Sequence, residues 1–211
     1  MQYQWLNQKN NKKLILFFNG WGMNLTPIQH LKYDDFDILT ISDYRDFNFN
    51  INQFDFSKYD EKYLICWSMG VYVCNLFYDI LKDFNKKIAI AGTLKIIDNQ
   101  FGIPEKIYNI TIKFFSAESV AKFIKNMFDN LTVPEITITK STDELKEELI
   151  AIKNLKIEKE LNFNKAIIPI NDVIIPSKNQ LNYWLNKTEI VKVNTPHYPF
   201  HIYKTWQEII C

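Results

Sequence analysis

The chain has 211 residues, 47% hydrophobic and 15% aromatic, with a formal net charge of +1. These values suit one well-buried domain with room for a small insertion and exclude a disordered or fibrous chain. The near-neutral charge removes the broad electrostatic footprint of a nucleic-acid binder, and no apolar run approaches the roughly 20 residues that cross a bilayer.

The N-terminal stretch MQYQWLNQKNNKK has neither the basic region, the apolar stretch nor the small-residue cleavage site of a secretory signal. A cytoplasmic monomer is expected, with neither nucleic acid nor membrane as a partner. Cys66, Cys74 and Cys211 are odd in number and lack CxxC spacing, which suits reduced thiols better than a disulfide frame or a zinc site.

The first strong element is the run Lys13 to Phe18, followed by similar runs at Phe36 to Ile41, Lys62 to Cys66 and Lys87 to Gly92. Each is short, nearly all apolar and bounded by polar or helical sequence, as are strands buried on both faces of a parallel sheet. Two more, Lys165 to Ile170 and Glu189 to Asn194, come late in the chain. Between the two groups the pattern predicts amphipathic helices over Ala117 to Leu131 and Thr142 to Leu161. The second helix has Ser141 and Glu144 spaced as a capping box. The reading is an α/β class fold with a core over 1–98 and 164–211. Residues 99–163 are either a helical cap over the sheet's ligand-binding edge or ordinary packing helices.

Chemistry concentrates at strand ends. Cys66-Trp67-Ser68-Met69-Gly70 follows an apolar strand and precedes a helix, which is the form of a nucleophile elbow. The tight turn pushes the serine hydroxyl out of the backbone, and cysteine is small enough to stand for the usual first glycine. Cys66 is thereby the small flank of the turn and Ser68 the nucleophile. After the strand ending at Phe18 stands Asn19-Gly20-Trp21-Gly22-Met23-Asn24, whose glycines let the backbone approach a carbonyl. The N–H groups of Trp21 and Met69 are the candidate oxyanion hole. The alternative, a phosphate-binding loop, lacks a completed glycine motif.

An acid and a histidine are then required in that order. Asp172 follows one late strand and His197 the other. Alone, Asp172 reads as a turn former and His197 as a loop residue; four demands met in the correct chain order point to a triad. Asp98 is the alternative acid and His201 the fallback base. His30 precedes the second strand region and is not expected to reach the last two loops, and the His197/His201 pair, with Pro199 between them, lacks the glutamate of a metal motif.

These motifs, together with Asp43-Tyr44-Arg45-Asp46, Ala91 to Pro104 and Pro196 to Phe200, resemble the BioG family of pimeloyl-[acyl-carrier protein] methyl ester esterases, within the α/β-hydrolase fold. The GWG, WSxG and HxPF elements are also similar to those of the BioH esterases. The resemblance implies a serine carboxylesterase of biotin synthesis with catalytic Ser68, Asp172 and His197, needing no metal or cofactor. Trp21, Trp67, Phe114, Phe115, Phe123 and Phe128 are candidates to line an acyl channel, or simply to fill the core. The implied partner is an acidic acyl carrier protein, for which Arg45, Lys122 and Lys125 are candidate contacts. A hydrolase of the same fold acting on other short esters or thioesters, and an inactive binding module, are the alternatives.

Overall fold

Along the strand Lys13–Phe18, Leu14, Leu16 and Phe18 enter one apolar cluster while Ile15 and Phe17 enter another. Successive side chains of a strand point to opposite faces, so a strand apolar at every position must be covered on both. The computed structural model describes residues 1–129, 131 and 138–211. It contains one seven-stranded sheet in the order β1-β3-β2-β4-β5-β6-β7. The strands are β1 (Gln2–Asn7), β2 (Lys13–Phe18), β3 (Phe36–Ser42), β4 (Glu61–Trp67), β5 (Lys86–Ile90), β6 (Lys165–Pro169) and β7 (Glu189–Val193). All neighbours run parallel except β1, which lies antiparallel on the outer edge of β3.

The six predicted strands fall where expected, with ends moved by a residue or two. The edge strand β1 has no counterpart among the expected elements, because its Gln-rich outward face leaves no apolar run to recognise. After β4 come the short helices α1 (Met69–Val73) and α2 (Tyr78–Leu81). Between β5 and β6 the described residues hold α3 (Glu105–Lys113), α4 (Ala117–Phe128) and α5 (Thr142–Asn154). The chain finishes with α6 (Ser177–Trp184) and α7 (Trp206–Ile210).

Helix α3 was not anticipated: its N-cap, Pro104, offers no side-chain cap, and its nine residues include Ile107, Ile110, Thr111 and Ile112, β-branched residues of modest helix propensity. Tertiary contact holds it, with Tyr108 Oη donating to Leu149 O of α5 at 2.9 Å. Helix α4 stops at Phe128 rather than Leu131 because Asp129 takes φ 52°. Helix α5 has the expected Ser141/Glu144 capping box but ends at Asn154, not Leu161, where Leu155 turns extended. Its Leu145, Leu149 and Ile152, at helical spacing, join the same cluster as Phe18 and Cys66. No helix among the described residues is long and apolar enough to cross a membrane.

Candidate active site

Ser68 sits between β4 and α1 with φ 56° and ψ −123°. Non-glycine residues seldom adopt that conformation, and holding one there costs about 1–3 kcal/mol. Two backbone bonds fix the turn: Ser68 N donates to Ile90 O at 2.8 Å and Val71 N to Ser68 O at 3.1 Å. The side chain makes no helix cap. Its hydroxyl lies 2.8 Å from Nε2 of His197 instead.

Close backbone approach around this turn depends on two glycines. A Cβ on Gly70 would stand 2.5 Å from Phe18 O and 2.6 Å from Asn19 O, and one on Gly92 would stand 2.5 Å from Ser68 O. The missing side chain at Gly70 therefore lets the start of α1 press against the end of β2, bringing Met69 beside the Asn19–Asn24 loop.

Asn19 shapes that loop from within. Its Oδ1 accepts from Gly20 N at 2.8 Å and its Nδ2 donates to Asn24 O at 2.7 Å. Tyr44 Oη donates to Asn19 O at 2.7 Å, and Trp21 Nε1 donates to Leu145 O of α5 at 3.0 Å. Among the described residues neither Trp21 N nor Met69 N donates to a carbonyl. For Met69 this follows from its place at the first helical position, where backbone N–H groups have no intrahelical acceptor.

The loop after β7 brings His197, and the loop after β6 brings Asp172. His197 Nδ1 lies 2.7 Å from Asp172 Oδ2. A carboxylate oxygen only accepts, so Nδ1 carries the proton and the free Nε2 accepts from the Ser68 hydroxyl. The other carboxylate oxygen of Asp172 accepts from Ile174 N at 2.9 Å and Ile175 N at 3.0 Å. Trp67 supports the histidine from behind: its Nε1 donates to His197 O at 3.2 Å and its ring lies 5.9 Å from the imidazole.

Several expectations need correction. The serine hydroxyl does not stand open to solvent: Ser68 and Asp172 are each 4% exposed and His197 is 0% exposed. Trp67 is fully enclosed by Gly20, His197, Tyr198 and Phe200, so it packs behind the histidine and lines no channel. Phe114 is 64% exposed at the end of α3. Phe115 and Phe123 meet the Trp21 ring edge-on at 5.9 and 4.7 Å, while Phe128 packs on Tyr198 at 4.9 Å. Tyr198 N also donates to Met127 O at 3.1 Å. Helix α4 thus bridges from the Trp21 loop to the His197 loop.

His30 does reach the segment after β7, where its Nε2 lies 3.0 Å from Phe200 O, because the C-terminal chain runs back to pair with the His30 region, Lys32 N donating to Lys204 O at 2.9 Å. It meets a backbone carbonyl, as does His201, whose Nδ1 is 3.0 Å from Tyr198 O. Asp98 closes its own turn, accepting from Gln100 N and Phe101 N at 2.7 and 2.9 Å. Arg45 is occupied by Asp43 and Glu144 at 2.8 and 2.7 Å, whereas Lys122 and Lys125 lie exposed on α4. Burial pushes the Cys66 thiol well above its ordinary range, beside Cys74, which suits an inert flank.

A family model described as "Pimeloyl-ACP methyl esterase BioG" matches residues 1–209. The chain belongs to the BioG family. A crystal structure of BioG from Haemophilus influenzae is similar at a TM-score of 0.87 and 26% identity, over 100% of both chains. An esterase from Exiguobacterium antarcticum shares the fold at a TM-score of 0.70 and 12% identity, over 94% of this chain and 88% of that one. The fold is that of the α/β-hydrolases.

A Bacteroides fragilis (strain 638R) protein named malonyl-[acyl-carrier protein] O-methyltransferase is 35% identical over 205 residues, 92% of this chain. The chain spans 41% of that relative's length. Membership of the BioG family bears out that part of the resemblance, while the likeness to BioH esterases rests on the sequence elements alone.

Proposed function

We propose that this BioG-family chain is a serine esterase that cleaves the methyl ester of pimeloyl-[acyl-carrier protein] methyl ester, giving pimeloyl-acyl carrier protein and methanol. The observation that carries the reading is the unbroken hydrogen-bond chain from Ser68 through His197 to Asp172. Ser68 Oγ attacks the ester carbonyl as His197 Nε2 takes its proton. Asp172 holds the imidazole and stabilises its cationic form. The oxyanion is met by Trp21 N–H and Met69 N–H, each such donor being worth about 10²–10³ in rate. His197 returns the proton to the departing methoxide oxygen. Water, activated by the same histidine, then releases the acid from the acyl-serine.

The B. fragilis relative supports the ester in particular. A protein named for methyl transfer to malonyl-acyl carrier protein would create the kind of ester that this chemistry removes. Acyl carrier protein is accordingly the proposed partner and the cytoplasm the proposed compartment. The helices of 99–163 act as the cap, with Phe115 and Phe123 beside Trp21 meeting the acyl chain and Lys122 and Lys125 meeting the acidic carrier. Arg45, neutralised by two carboxylates, is not offered as a carrier contact.

A fluorophosphonate should label Ser68 in the folded wild type and leave Ser68→Ala unmodified. Wild type should also restore biotin-independent growth to a strain lacking its pimeloyl methyl ester esterase, and Ser68→Ala should not. An unlabelled wild type would exclude a serine hydrolase of any kind. Labelling without complementation would leave a hydrolase of other esters.

A further inference from the structure

Asp172 Oδ2, the oxygen that receives His197 Nδ1, has a second donor. Gln180, in the first turn of α6, is 0% exposed, and its Nε2 donates to Asp172 Oδ2 at 2.8 Å and to Ile175 O at 2.7 Å. Both amide hydrogens are committed, so the nitrogen is fixed against the loop Asp172–Ile175 that it serves. The amide oxygen of the same side chain is buried without a hydrogen-bond partner among the described residues. An unpaired buried acceptor is costly, and an apolar side chain of similar length would avoid that cost. Packing alone therefore does not account for an amide at this position.

We infer that Gln180 is a positioning residue for the Ser68 nucleophile, acting through Asp172. The backbone N–H groups of Ile174 and Ile175 anchor one carboxylate oxygen, and Gln180 sets the direction of the other, so that Oδ2 faces the imidazole. The inference rests on the serine-hydrolase reading for its rate consequence but not for its geometry. No motif in the sequence announces the residue, since it is joined to Asp172 only by the turn that leads into α6.

Two measurements test it together. In proton NMR of wild type, the Gln180 side-chain amide and the His197 Nδ1 proton should both be protected from exchange; in Gln180→Met the Nδ1 resonance should move upfield or exchange away. Gln180→Asn, with the amide drawn back by one methylene, should act in the same direction and covers the case in which the methionine variant does not fold.

Fluorophosphonate labelling of Ser68 should slow about tenfold in either variant, the size expected for one lost hydrogen bond to a charged group. Adding Gln180→Met to Asp172→Ala should slow it no further, because the route through the carboxylate is already gone. A freely exchanging Gln180 amide in wild type, an unchanged Nδ1 resonance in a folded variant, or a full additional loss in the Asp172→Ala background would each overturn the inference. If wild type fails to label, the esterase reading falls, while the NMR comparison still decides the role of Gln180.

Discussion

Replacing Ser68 by glycine and by alanine separates strain from chemistry at the elbow. Both changes remove the hydroxyl and its bond to His197. Only glycine relieves the backbone, because φ 56° with ψ −123° brings a Cβ into conflict with its own peptide. The stored strain is about 1–3 kcal/mol. Against it stands the extra freedom of glycine in the unfolded chain, about 0.5–1 kcal/mol. The balance leaves Ser68→Gly more stable than Ser68→Ala by about 1 kcal/mol, or about 2–4 °C in melting temperature for a domain of this size. At an ordinary helical position the order would be the reverse. Thermal unfolding of the two variants, followed by circular dichroism, gives the difference directly, since the lost hydroxyl cancels. If Ser68→Ala melts at or above Ser68→Gly, the elbow holds no strain and the argument for it fails.

Gly70→Ala should slow fluorophosphonate labelling about 10²-fold, because relieving the clash with Phe18 O moves the Met69 N–H away from Trp21; normal labelling would refute this. Lys140→Met strands the Glu148 carboxylate, which burial already pushes above its usual range and which Lys140 and Tyr44 N–H otherwise support. The expected loss is about 3–5 kcal/mol in denaturant unfolding at pH 8, shrinking towards pH 5 as Glu148 takes up a proton; a pH-independent loss would count against it. Burial works to raise the Asp43 carboxyl, but hydrogen bonds from Arg45 and the charges of Lys140 and Arg45 hold it down at about 2. Because its folded value lies below its unfolded one, the stabilisation is present above about pH 4 and is lost as pH falls towards 2. The stability gap between wild type and Arg45→Met should therefore narrow across that window, and a constant gap would show that the pairing is not the cause.

Much of the frame was legible because it is written in local patterns. The unbroken apolar run Leu14 to Phe18, the Ser141/Glu144 capping box and the strand–serine–glycine–helix junction at Ser68 each reflect forces acting within a few residues. Chain order together with position at strand ends then favoured Asp172 and His197, with Asp98 and His201 left open, since a parallel sheet delivers every strand's end to one edge. The aromatics were not separable in this way. Trp21 and Trp67 look alike in sequence, yet one meets Phe115 and Phe123 while the other packs behind His197, because residues of neighbouring strand ends can face opposite sides of the sheet.

The sequence by itself determined the six strands β2 to β7, the cores of helices α4 and α5 and which residue types could perform acyl chemistry, but neither the edge strand β1 nor helix α3. Only the tertiary structure decided what surrounds them. The bond of Ser68 to His197, the Arg45 to Glu144 pairing, the approach of His30 to Phe200 and the grip of Gln180 on Asp172 all join elements distant in the chain or across a turn. Such contacts depend on how elements pack, and no local propensity encodes packing.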